Sequence, residues 1–481
     1  MTRQKTLIVI GLVVIALLAA AAAMLLKAPP AKDTEGKDKG AEDVFSLLEH
    51  DMDEVSHISV KNENGVYGVK QEEGGFMVSD IPAELVNTEY LQLLLDEAGR
   101  IAVQEKVSDS PRDLSVYGLD HPRAVVDIDY TDNTKAQLLL GQEEPLSDGV
   151  YVRLSGDDSV YLMPRSHTIR FTMPVENYIQ YEITPTRKLD SALAVVRDVD
   201  FGGTALPEPI VIRWVDEKNK DQMREAASFG VSTHLVRSPG LHELDQAAGN
   251  EIFQSMLGIV SEGIVAYNCD DKTLAAYGFD RPYLTADFTI VNGKDAGPEE
   301  YHLKVVKRHD GSLIMTCNDN RVIYKILDVA FTKVTYEKLV MRWFLTPFIT
   351  DLDKMTVTTP QSRMEFSFSG DSNKDLAVSL DRKKLDIEEF RSYYRLVTSA
   401  CNDGNPRTNA RQPGNPVLTV EYAYKDTKKP DDVMKIYEKD DRSVLVEVNG
   451  VVEFTMKRSY LERVLQAEKS IKEGTAIEEN W

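Results

Sequence analysis

The chain has 481 residues, 42% hydrophobic and 28% charged, which is enough for two to four domains with buried cores. Its net charge of -22 excludes nucleic acid as a natural partner and argues against broad contact with anionic head groups, because like charges repel. Three cysteines, Cys269, Cys317 and Cys401, with no Cys-x-x-Cys pair, exclude a disulfide scaffold, a zinc ribbon and a thioredoxin-like site.

Residues 7–26 read LIVIGLVVIALLAAAAAMLL, without a charge, and about 20 helical residues cross a bilayer's hydrocarbon core. Arg3 and Lys5 precede the run. The pattern predicts a cytoplasmic N-terminus at 1–6, a transmembrane helix at 7–26 and a translocated body. The Ala19–Ala23 run offers signal-peptide cleavage sites. The apolar core is longer than a signal peptide's and continues through Met24, Leu25 and Leu26, so an uncleaved anchor is expected. Residues 27–42, rich in Pro, Gly, Ala and charge, read as a flexible linker.

The first repeat is expected at 43–187. Ile58–Lys61 and Tyr67–Val69 flank Asn64-Gly65, a strong hairpin signal. A helix follows, capped by Thr88, with Tyr90, Leu91, Leu94 and Leu95 on one face and Gly99 as its stop. After Tyr117-Gly118-Leu119-Asp120-His121-Pro122, alternating runs at 124–130, 136–140, 150–154 and 160–163 predict a four-strand meander. A short helix at 166–171 closes the repeat. The second repeat is expected at 188–345, with a strand at Ile210–Trp214 and a helix over Asn250–Val260. There the turn returns as Tyr277-Gly278-Phe279-Asp280-Arg281-Pro282, and two copies about 160 residues apart mark a duplication. A third, degenerate repeat is expected at 346–471. Its helix covers Ile387–Ala400, its last helix covers Tyr460–Ile471, and Arg411–Pro416 replaces the Tyr-Gly turn. The tail, 472–481, is expected to fray.

Catalytic patterns are missing. Gly-x-Ser-x-Gly, His-Glu-x-x-His and the phosphate-binding glycine loops do not occur. His50, His57 and His121 are scattered in turns and strand starts. Cys401 follows a helix without an identifiable partner histidine. Asp129, Asp132, Asp157 and Asp158 form no calcium-loop pattern. In the repeated turn, glycine takes a backbone angle that other residues avoid, and the apolar residues pin the turn to the core. Tyr117, Tyr151 and Tyr161 are the candidate lining of an aromatic groove, with Tyr277 as the ligand-facing candidate in the second copy.

The Tyr-Gly-Leu-Asp-x-Pro turn, the AVVDIDY…LLLGQ strand pair and the GVYVRL…SVYLM hairpin, together with the anchor, resemble a bacterial membrane-anchored domain-of-unknown-function family. The resemblance implies an accessory protein associated with gliding-type ABC transporter genes. The second copy departs from it at Phe279 and at Val305-Val306-Lys307, where no Leu-Gly occurs.

The expected fold class is α+β, an N-terminal transmembrane helix followed by tandem repeats of an antiparallel β-meander plus helix. The expected function is that of a non-enzymatic, membrane-anchored extracytoplasmic accessory or scaffold protein of an ABC-type transport or envelope complex. The alternatives are a binding module for a cell-wall polymer or small ligand, and a hydrolase. No catalytic, cofactor-binding or metal residue is assigned, and no cofactor is expected. The expected partners are the membrane, through the N-terminal helix, and ABC transporter permease or auxiliary subunits. The expected location is the cell membrane, single-pass, with the N-terminus cytoplasmic and the body outside.

Overall fold

A computed structural model of the chain describes residues 45–73, 75–187, 191–218, 220, 232–291, 297–408 and 414–481. Two compact units form. One holds the residues up to 68 together with 92–173; the other holds 69–91 and 174–481.

The first stretch of chain forms β1 (Phe45–Glu49), β2 (Val55–Asn62), β3 (Gly65–Glu72), β4 (Gly75–Val78), α1 (Thr88–Gly99), β5 (Arg100–Val103), β6 (Glu105–Ser108), β7 (Ala124–Tyr130), β8 (Lys135–Glu143), β9 (Gly149–Leu154), β10 (Val160–Pro164) and α2 (Arg165–Thr172). β1 pairs with β5, and the other strands form one sheet in the order β4-β3-β2-β7-β8-β9-β10-β6. Side chains alternate between faces along a strand. Accordingly Ala124, Val126, Ile128 and Tyr130 of β7 are buried, and so are Leu138 and Leu140 of β8.

The next stretch forms β11 (Val196–Gly202), β12 (Ile210–Trp214), β13 (His234–Ser238), β14 (His242–Glu243), α3 (Gln246–Gln254), β15 (Gly263–Ala266), α4 (Asp271–Ala276), β16 (Leu284–Val291), β17 (Pro298–Lys307), β18 (Leu313–Cys317), β19 (Ile323–Ile326) and the short helix α5 (Tyr336–Leu339). The strand order is β14-β13-β12-β11-β16-β17-β18-β19-β15.

The last stretch forms β20 (Leu352–Thr359), β21 (Ser362–Ser369), β22 (Ala377–Leu380), β23 (Lys383–Lys384), α6 (Ile387–Thr398), β24 (Leu418–Tyr424), β25 (Asp432–Glu438), β26 (Ser443–Val448), β27 (Val451–Lys457) and α7 (Arg458–Glu473), with order β23-β22-β21-β20-β24-β25-β26-β27. Phe390, Tyr393, Leu396 and Val397 of α6 share one core with Tyr460, Leu461, Val464 and Ile471 of α7. In all three large sheets the first strand of the opening run lies beside the first strand of the meander, as β2–β7, β11–β16 and β20–β24.

The expected fold class is corrected by this arrangement. Among the described residues the chain is mostly β-sheet, in four antiparallel sheets. Strands β1, β14, β15 and β23 have two to five residues, too few for an alternating pattern to show in the sequence. Among the described residues no helix is long and apolar enough to cross a membrane. The longest of them, α7, has 16 residues. The expected span at 7–26, with 1–6 and 27–42, lies outside the described residues. The expected single-pass location is corrected with it, because no helix among the described residues supports such an anchor.

Local differences have identifiable causes. Asn87, not Thr88, caps α1, its Oδ1 accepting from Tyr90 N at 3.2 Å. Gly99 is the last helical residue because His50 passes so close that an added Cβ would lie 2.8 Å from the His50 carbonyl oxygen. α3 begins at Gln246, where Asp245 accepts from Ala247 N and Ala248 N, four residues before the expected Asn250. Asn250 is used elsewhere, accepting from Ser191 Oγ and Ala192 N. The tail is tied down rather than frayed: Trp481 Nε1 donates to Ser399 Oγ at 2.7 Å, and Glu479 pairs with Arg395 at 2.6 Å. The expected turn at Arg411–Pro416 falls partly outside the described residues.

The repeated turn has the predicted backbone. Gly118 lies at φ 66° and Gly278 at φ 95°, the left-handed region that side chains disfavour. In the first copy, β8 comes so near that a Cβ on Gly141 would stand 2.0 Å from the Tyr117 carbonyl oxygen.

Glu97 of α1 is buried with one carboxylate oxygen unpartnered. Burial pushes its carboxyl up to about 8, against a smaller opposing effect of Arg170. The folded state therefore holds a proton that the unfolded state releases near pH 4.5. Stability contributed by this site is complete below that value and falls as pH rises towards 8. Glu97→Gln is expected to leave stability nearly unchanged at pH 5 and to raise it at pH 9. The gain should be of the order of a few kcal/mol, since one pKa unit corresponds to about 1.4 kcal/mol. Urea melts of both proteins at the two pH values check this; parallel pH profiles would contradict it.

Candidate functional site around Glu453

Edge strand β27 carries a carboxylate inside its apolar run. Glu453 is 6% exposed and precedes buried Phe454. A buried carboxylate is costly unless its oxygens are hydrogen-bonded and its charge is matched. Three elements supply what Glu453 needs. From β14, His242 Nε2 donates to Oε2 at 2.7 Å. From α5, the Tyr336 hydroxyl donates to Oε1 at 2.7 Å. From the segment before β24, Arg407 Nε donates to Oε1 at 2.8 Å.

Backbone pairing fixes each donor. β14 is held by β13 through Leu235↔Glu243 and Val236↔His242. The chain after α5 runs beside β14, with Met341 N donating to Glu243 O at 2.8 Å. The Arg407 segment covers the open edge of β27, where Thr408 N donates to Glu453 O at 2.8 Å and Asp403 N to Thr455 O at 3.2 Å. Arg407 also donates from Nη1 to Glu208 at 2.9 Å and from its backbone N to Glu337 at 2.8 Å. The Tyr336 and Phe454 rings stack at 5.9 Å, and His242 lies edge-on to Phe454 at 5.6 Å. Gly240 is required by this closeness, because a Cβ there would sit 2.5 Å from the Tyr336 hydroxyl and 2.6 Å from Glu453 Oε1.

The electrostatics follow from the geometry. Burial pushes the Glu453 carboxyl up, but the bond and charge of His242, the Tyr336 hydroxyl and the charge of Arg407 outweigh it and hold the group below its ordinary value. Burial, then the Glu453 charge, push the Tyr336 phenol well up, so it stays a donor. Burial works against the Arg407 cation, and the charges of Glu453 and Glu208 more than restore it.

This network borders a pocket of about 380 Å³. Leu241, Met341, Trp343, Phe344, Val448 and Val451 provide apolar wall. Trp343 is 48% exposed and Val451 55% exposed. The lining includes no serine, threonine, cysteine or lysine.

The residues singled out from the sequence lie elsewhere. Tyr117 and Tyr151 meet edge to face at 5.1 Å. Tyr161 points to the opposite side of its sheet, because Tyr151 pairs with Leu162 and Tyr161 with Val152. The three therefore line no common groove. Asp157 accepts from Ser159 N and the Tyr161 hydroxyl, Asp158 pairs with Arg153, Asp132 accepts from Thr134, and Asp129 pairs with Lys135. Among the described residues no group of three His, Cys, Asp or Glu side chains is placed to hold a metal ion. His50 stacks on Tyr130 at 3.8 Å, and His57 lies 3.7 Å from Asp129. His121 is almost wholly exposed. All three cysteines are buried free thiols, and burial pushes Cys317 up to about 12.

His242 and Glu453 stand 211 residues apart, so no spacing rule links them. In the run Val452–Met456 the glutamate alternates with Val452, Phe454 and Met456, so the sequence reads it as a solvent-facing residue and gives no sign of its burial.

The fold is a set of antiparallel sheets, each with helices packed against it, and the site is a pocket floored by a satisfied ion cluster. Within this chain, residues 77–195 match the family model described as Domain of unknown function (DUF4340). A DUF4340 domain thus spans β4, α1, the first Tyr-Gly turn, the meander β7–β10 and α2, in agreement with the resemblance to a domain-of-unknown-function family. The match does not bear on a membrane anchor or a transporter partner. No curated protein and no solved structure matches the chain.

Glu453→Gln removes the anion, strands His242 and leaves Arg407 with Glu208 as its carboxylate partner. The expected cost is about 3–5 kcal/mol at neutral pH, the range for breaking a buried pair. The folded carboxyl titrates below its unfolded value, so its contribution is complete above about pH 4.5 and is lost as pH falls through the folded value. Melts of wild type and variant should converge in acid; an equal gap at pH 7 and pH 3 would contradict the assignment.

Proposed function

We propose that this protein is a non-enzymatic accessory or scaffold component of an ABC-type transport or envelope complex, and that it binds a partner subunit through the pocket beside Trp343. The observation that carries the reading is the pairing of an apolar wall with a satisfied floor. Exposed Trp343 and Val451 offer contact area to an apolar side chain of a partner polypeptide, and aromatic residues are favoured anchors at interfaces. The Glu453 carboxylate is engaged by three donors, so the floor presents a fixed surface rather than a free acid or base. The choice of a transporter subunit rests on the resemblance carried by the Tyr117–Pro122 turn and its flanking strands, and DUF4340 over 77–195 is compatible with it.

Co-purification of the full chain with ABC transporter permease and auxiliary subunits tests the reading. Wild type is expected to retain a subunit. Trp343→Asp with Val451→Asp should weaken retention at least tenfold with an unchanged melting curve. A wild-type chain that purifies alone, or variants that retain the subunit undiminished, would contradict it.

A further inference from the structure

The two copies of the Tyr-Gly turn are closed differently. In the first, Leu140 of β8 pairs with Ala124 and the next residue is Gly141. That glycine lets the strand end sit under the turn, and Gln142 Nε2 then donates to Val116 O at 2.7 Å. In the second, Val305 of β17 pairs with Leu284, so Val306 and Lys307 occupy the places of Gly141 and Gln142. A branched side chain now stands where no side chain fitted. Val306 Cγ1 lies 3.4 Å from where a Cβ of Gly278 would be, and it holds the turn off the strand. Lys307 extends over the Tyr283 ring at 5.6 Å instead of bonding back to the turn. The result is an open cleft of about 630 Å³, lined among others by Tyr277, Gly278, Lys307, Arg308, His309 and Asp310.

The charges in this cleft are unbalanced. Among the described residues, neither Lys307 nor Arg308 forms a side-chain ion pair. Asp310 accepts from Ser312 N at 2.9 Å and Ser312 Oγ at 2.6 Å, and its charge also meets that of Arg308. Asp328, the acid whose charge Lys307 reaches, is paired with Lys333 at 2.8 Å. Two cations, Lys307 and Arg308, face one carboxylate, Asp310, in this cleft, on a chain of charge -22. They create a local field opposite to that of the rest of the molecule, which draws a small anion and not a polyanion.

We infer that this cleft binds a tetrahedral oxyanion, a phosphate or sulfate group, with Lys307 and Arg308 supplying the charge and Tyr277 forming one wall. Guanidinium and ammonium donors match such oxygens with charge-assisted hydrogen bonds. The assignment does not depend on the Trp343 pocket and stands or falls separately from it.

Equilibrium dialysis of the full chain against labelled inorganic phosphate tests the inference, with melting curves recorded for every protein. Wild type is expected to bind one phosphate saturably, with sulfate competing and acetate competing poorly. Lys307→Ala with Arg308→Ala should weaken binding at least tenfold. Val306→Gly with Lys307→Gln, which reinstates the residues of the first copy, should abolish it without loss of folding. Absence of saturable binding by wild type, equal competition by acetate, or full binding by folded forms of both variants would overturn the inference.

Discussion

A single buried carboxylate organises the second and third sheets. Glu453 lies in an edge strand of one sheet, and its donors come from the edge strand of the other, from a short helix and from the segment that covers β27. Withdrawing a carboxylate from water costs several kcal/mol, so its surroundings must supply donors in fixed positions. That requirement sets the approach of Gly240, the stacking of Tyr336 on Phe454 and the path of Arg407. The pocket is the space left beside this junction, with walls taken from both sheets and from the chain between them.

The same constraint shapes the functional reading. A carboxylate bound by His, Tyr and Arg at once is fixed in position and charge. Such a floor suits recognition: it holds the apolar wall in place and keeps the pocket's shape. The cleft at Lys307 has the opposite character. There two bases, Lys307 and Arg308, face one acid, Asp310, which is held by the Ser312 turn. Of the two Tyr-Gly turns, the one beside Gly141 is packed and the one beside Val306 is open.

Much of the fold was legible because it rests on local rules. Alternation locates β7, β9 and β10 within one residue, Asn64-Gly65 locates its hairpin, and the left-handed glycine of each turn follows from residue type. The overall class was misjudged where local rules are silent. Two-residue strands such as β14 and β23 exist only because a neighbour pairs with them. The start of α3 differs from expectation because its cap, Asp245, stands well ahead of the apolar run at Ile252, whereas α6 starts as expected, directly after Asp386. The tail looked unstructured by composition, yet Trp481 docks on α6 and α7 through Ser399 and Tyr460, a long-range contact that no window of sequence contains. The candidate site was invisible for the same reason: its donors at 242, 336 and 407 converge on 453 only in the folded chain.

The central claim is that Glu453 and His242 act as one unit joining two sheets. A double-mutant cycle on thermal or urea unfolding, using His242→Ala, Glu453→Gln and the combined variant, measures it directly. A pair this close is expected to show a coupling energy above about 1 kcal/mol at neutral pH. Strictly additive losses, with no coupling between the two positions, would contradict the account.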